Sequence, residues 1–84
     1  MGMKVYVITI DEAYDFEKFN HAPEVFRVFD DARRRFEDIV ALAKTEFKDC
    51  GWEESQGDNF YEAWEEGYWA TNHYSVTVHT VELQ

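Results

Sequence analysis

One stripe of apolar residues decides the architecture. Ala32, Phe36, Ile39, Val40, Ala43 and Phe47 recur at helical i, i+3/i+4 spacing, while apolar residues before and after them lie in β-branched and aromatic runs. Arg33, Arg34, Glu37, Asp38, Lys44 and Lys48 fill the other positions, so the period predicts an amphipathic helix over about 31–49. Asp30-Asp31 offers an N-cap side chain and places acids at the positive end of the dipole. Arg33–Glu37 and Arg34–Asp38 have the i, i+4 spacing that adds about 0.2–0.5 kcal/mol per pair. Cys50-Gly51 supplies the stop, the glycine taking a left-handed conformation. A single helix with one stripe needs a sheet as its partner layer.

Three segments supply that sheet. Lys4–Ile10 is β-branched and aromatic, with apolar residues on both parities, as in a strand at the centre of a sheet. Glu24–Phe29 resumes β character and predicts a return strand antiparallel to the first. Tyr74–Leu83 alternates as a third. Between the first two, residues 11–22 are acidic and aromatic and run up to Pro23, the only proline, which predicts a long loop. Residues 51–59 are polar with two glycines, a second loop. Over 59–66, Phe60, Ala63 and Trp64 fit a helical stripe and Asn59 with Glu62 resembles a capping box, although Phe60/Glu62/Trp64/Glu66 also alternates; a short helix is the favoured reading. The expectation is one α+β domain over 1–84: an antiparallel sheet of three or four strands (about 4–10, 24–29 and 74–83), the 31–49 helix on one face, and a short helix at about 59–66.

Eighty-four residues bury only ~60–65 % of the unfolded surface, so the fifteen aromatics must carry much of the core. The single cysteine forms no intramolecular disulfide, which suits a reducing cytoplasm, and Cys50 at a helix C-terminus is expected to be a partly buried, unactivated thiol. The apolar run at Val5–Ile8 is too short for a signal-peptide core or a membrane span.

Charge is uneven. Residues 1–48 hold ten acids and eight bases, whereas residues 49–84 hold eight acids and no Lys or Arg. A net charge of −10 disfavours direct nucleic-acid binding and favours a basic protein partner. Glu53, Glu54, Asp58, Glu62, Glu65 and Glu66, interleaved with aromatics, form the candidate partner-binding segment, with Tyr61 and Trp69 as exposed anchors. A solvated surface is the plain alternative. The acids around 11–17 and 58–59 lack calcium-loop order, and the four glycines are too isolated for a phosphate loop. His73 and His79, six residues apart on a strand, are ~20 Å apart and share no metal. His73 with Ser75 has no orienting acid, so no catalytic residue, metal site or cofactor is assigned.

In layout, the N-terminal strand Lys4–Ile10, the Val25–Phe29 strand running into the Asp30-led helix and the closing Tyr74–Leu83 strand resemble small acidic α+β proteins of phages and mobile elements. Some of those inhibit host or defence proteins, and the resemblance implies a similar role. The expected function is a non-enzymatic interaction module that occupies a basic or nucleic-acid-binding surface of a partner protein. The alternatives are a small-ligand or cation-binding domain, or a minor enzyme, using the 11–22 segment with His21, His73 or Tyr74, and self-association through a sheet edge.

Overall fold

A computed structural model of the chain describes residues 2–15, 17–65, 67 and 72–83. The element order is β1 (Met3–Tyr14), β2 (Glu17–Asn20), β3 (Glu24–Phe26), α1 (Phe29–Phe47), β4 (Glu53–Gln56), β5 (Phe60–Trp64) and β6 (His73–Leu83). The fold is α+β, with six strands in one antiparallel sheet rather than three or four. Its order is β2-β1-β6-β5-β4, and β3 lies beside β2 on the outer edge of β1.

The central ladder joins β1 to β6 without a break, from Met3 opposite Leu83 to Ala13 opposite His73. This long partner carries β1 through the acidic residues 11–14 and corrects the expectation of a loop over 11–22. The chain reverses at Asp15, whose φ of 51° is left-handed, a conformation that aspartate tolerates better than most residues. Asn72 anchors this turn: its Oδ1 accepts the Asp15 N–H at 3.0 Å, and its Nδ2 donates to Glu65 Oε2 at 2.8 Å. On the outer edge, Asn20 opposes Asp11 and Glu24 opposes Ile8, so Thr9 and Ile10 face three residues, His21, Ala22 and Pro23. The extra residue is a β-bulge, placed at the edge where a proline without an N–H costs no ladder bond.

The return strand is shorter than 24–29 because the chain leaves the sheet edge at Arg27 and starts α1 at Phe29. Val28 is the extended N-cap, with no side-chain cap. Asp30 and Asp31 therefore lie in the first turn, where they act on the helix dipole rather than as caps. The expected stripe is the buried one, Ala32, Phe36, Ile39, Val40, Ala43 and Phe47. It packs on Ile8, Tyr61, Ala63, Tyr74, Val76 and Val78. Past the helix, Gly51 takes φ +69° and Cys50 is exposed, not partly buried. Trp52 then stacks on Phe47 with centroids 4.8 Å apart and an interplanar angle of 12°.

Residues 60–64 are strand β5, which overturns the short helix at about 59–66. As a helix the segment buries one stripe on one neighbour. As a strand it pairs with β4 on one side and β6 on the other, and puts both Tyr61 and Ala63 fully inside. The β4–β5 hairpin needs glycine at 57, because a Cβ there would lie 2.4 Å from Phe60 Cε1. Gly57→Ala should therefore displace the Phe60 ring and lower stability by about 1–3 kcal/mol in urea unfolding. In a Phe60→Ala background the added loss should be much smaller; an equal loss would mean that the ring is not the obstacle.

Candidate functional site

Side chains alternate across a strand, so the sheet has one face under α1 and one opposite it. The opposite face is graded along the strands. At one end Met3, Val5 and Val7 of β1 stand beside Leu83 and Val81 of β6 and Val25 of β3. Of these, Met3, Val25, Val81 and Leu83 are exposed. In the middle Thr9 Oγ1 and His79 Nε2 are hydrogen-bonded at 2.9 Å. Toward the other end a polar row crosses four strands, Asp11, Ser75, Glu62 and Ser55, and the next row sets His73 and Trp64 beside Glu53.

The sequence-derived acidic segment is divided by this geometry. Glu53 and Glu62 lie on the opposite face, whereas Glu54 shares the α1 face and accepts a hydrogen bond from the Tyr61 hydroxyl at 2.9 Å. Asp58 is at the hairpin tip, where its backbone carbonyl accepts a hydrogen bond from Arg33 Nη1. Glu65 accepts from Asn72. Glu66 and Trp69 lie outside the described residues. Tyr61 is not an exposed anchor: in a strand it faces α1, and its accessibility is 0 %. Burial, followed by the Glu54 hydrogen bond, pushes its phenol well above the ordinary tyrosine range. Asp11 joins Glu53 and Glu62 only through sheet pairing, a long-range relation that local sequence does not carry.

A second constellation lies on the α1 side. A cleft of about 430 Å³ opens between the β-bulge and the C-terminal half of α1, bordered by Glu12, His21, Glu24, Arg35, Glu46 and Tyr74. Glu12 is on β1 because that strand continues past Ile10, and the bulge brings His21 into hydrogen-bonding contact with it through Nε2. The Tyr14 hydroxyl also donates to Glu12, at 2.6 Å. Burial first, then Glu12 and Glu46, hold the Tyr14 phenol far above its usual range. Arg35 donates to both Glu24 oxygens, at 2.9 and 3.1 Å, which lowers the Glu24 carboxyl and raises the guanidinium. Tyr74 is pushed up to about 12, by burial first and then by the negative charges of Glu12 and Glu46. His21 and Tyr74 thus share one site, whereas His73 belongs to the opposite face. Among the described residues no group of three or more His, Cys, Asp and Glu could hold a metal, and no helix is long and apolar enough to cross a membrane.

A tyrosine whose folded pKa is raised stabilises the fold fully below the unfolded value of about 10, and that stability is lost as pH rises toward the folded value. The urea midpoint should therefore fall between about pH 10 and 12, and Tyr74→Phe should make that fall shallower. An identical slope in the variant would show that Tyr74 ionises as freely in the fold as out of it.

No protein-family model matches the chain, and no curated protein or solved structure matches it either.

Proposed function

We propose that the chain is a non-enzymatic interaction module that docks the sheet face opposite α1 on a basic surface of a partner protein, such as one that binds nucleic acid. The observation that carries this reading is the graded face: exposed aliphatic residues at one end and Asp11, Glu53 and Glu62 toward the other, beside the half-buried rings of Phe60 and Trp64. Exposed apolar patches bordered by polar residues are characteristic of protein interfaces, and carboxylates beside them select a cationic partner. A net charge of −10 also repels a second copy of this chain, favouring a different, basic protein over self-association. The outer strand β4 carries Glu53 and Glu54, charges that discourage edge pairing with another acidic strand. A reducing cytoplasm suits the exposed thiol of Cys50. The role parallels that of acidic inhibitors carried by phages and mobile elements.

A second reading, a small-ligand site using the 11–22 segment, is favoured by the cleft that collects Glu12, His21 and Tyr74.

Two triple variants with the same net charge test the first reading. Asp11→Asn/Glu53→Gln/Glu62→Gln neutralises the opposite face, whereas Asp38→Asn/Asp49→Asn/Glu82→Gln neutralises exposed acids elsewhere. A basic partner captured from lysate at ~50 mM salt should be released at ~500 mM, since charges are screened beyond a few ångströms at high salt. It should be lost with the first variant and kept with the second. Equal loss with both would reduce the effect to net charge, and equal retention would sink the electrostatic interface.

A further inference from the structure

The α1-side cleft holds chemistry that the interaction face does not use. Its volume of about 430 Å³ falls in the range of small-molecule sites, roughly 300–1,000 Å³. Its wall on α1 is the row Arg35, Ile39, Leu42 and Glu46, spaced i, i+4, i+7 and i+11, and Ile10 faces that row from β1. Three carboxylates border it against one guanidinium and one imidazole. The Arg35 guanidinium is taken up by Glu24, and Glu12 already serves Tyr14 and His21.

Two groups stand apart. Tyr74 is only 7 % accessible, and among the described residues its hydroxyl makes no hydrogen bond. Tyr74 lines the cleft with Glu12, Glu46 and Arg35, and its unbonded hydroxyl is not among the fully buried atoms, so it keeps access to that space. The Glu46 carboxylate likewise has no hydrogen bond or ion pair among the described residues. A carboxylate and a phenolic oxygen together accept hydrogen bonds from a donor-rich cation, and Ile10, Ile39 and Leu42 beside them suit an apolar chain.

We propose that this cleft binds a primary alkylammonium compound, with the ammonium between Glu46 and the Tyr74 hydroxyl and the alkyl chain along Ile10, Ile39 and Leu42. The inference rests on the ligand-binding reading and is independent of the interaction face on the other side of the sheet. Two polar contacts and a short chain predict a weak fragment, with Kd on the order of 1 mM for n-hexylammonium.

Methyl NMR of the whole chain, titrated with n-hexylammonium chloride, tests it. The signals of Ile10, Ile39 and Leu42 should shift and saturate. n-Hexanol and n-hexanoate, of the same length, should bind about tenfold more weakly or not at all, as should trimethylhexylammonium, which has the charge without N–H donors. Glu46→Gln, an exposed change that leaves packing intact, and Tyr74→Phe should each weaken hexylammonium about tenfold. Hexanol or hexanoate binding as well as the ammonium would keep the ligand-binding reading and overturn the ammonium assignment. No saturable shift with any probe would overturn both. Unchanged affinity in Glu46→Gln would overturn the proposed placement even if Tyr74→Phe failed to fold.

Discussion

The β1–β6 ladder is the interaction on which everything else depends. The other strands build outward from its two members: β2 and β3 on the outer edge of β1, β5 on β6, and β4 on β5. The helix closes over the pair, setting Phe36, Ile39, Val40 and Ala43 against Ile8, Tyr74, Val76 and Val78. With so few residues to exclude water, the ladder's hydrogen bonds and the aromatic packing at the end of α1 do much of the holding. Phe47 lies between Trp52 and Tyr74, at 4.8 and 5.5 Å, and Trp52 reaches on to Tyr14 at 6.3 Å. These rings join the helix end to both central strands and to the segment leading into β4.

Two tyrosines enter this interior with a partner for the hydroxyl. Tyr14 and Tyr61 bury their rings and spend their hydroxyls on Glu12 and Glu54, so each carboxylate sits near the core without an orphaned donor. Such pairs raise phenol pKa values and leave the surrounding surface negative. The helix-covered side thus keeps its acids engaged or gathered around a cleft, while the opposite side displays them beside exposed aliphatic groups.

Locally determined elements were legible from residue spacing. The α1 stripe from Ala32 to Phe47 matches the buried residues one for one, because an amphipathic helix carries its whole pattern within its own sequence. The cores of β1 and β6 and the antiparallel return of β3 beside β1 were legible for the same reason of composition. What escaped was decided by distant neighbours. Glu53–Gln56 has no β signal and becomes a strand only because β5 lies beside it, and β5 resolves its helix-or-strand ambiguity through β6. The acidic residues 11–14 extend β1 because His73–Ser75 are there to pair with them. The candidate sites inherit this: Asp11 and Glu62 flanking Ser75, and Glu12 beside His21, are products of register and of one bulge, while Tyr61 changes from anchor to core with a change of period.

The central ladder pairs residues 60 positions apart at Ala13–His73 and 80 apart at Met3–Leu83. During synthesis, a ribosome would therefore release β1 through β5 before their shared neighbour exists. Until residues 73–83 emerge, β1 and β5 each present a bare hydrogen-bonding edge, and the apolar stripe of α1 has only part of its floor. A nascent chain in that state is a template for pairing with other strands. Its net negative charge, concentrated after residue 48 where no Lys or Arg offsets the acids, then acts before there is any fold to stabilise, keeping unfinished copies apart by mutual repulsion.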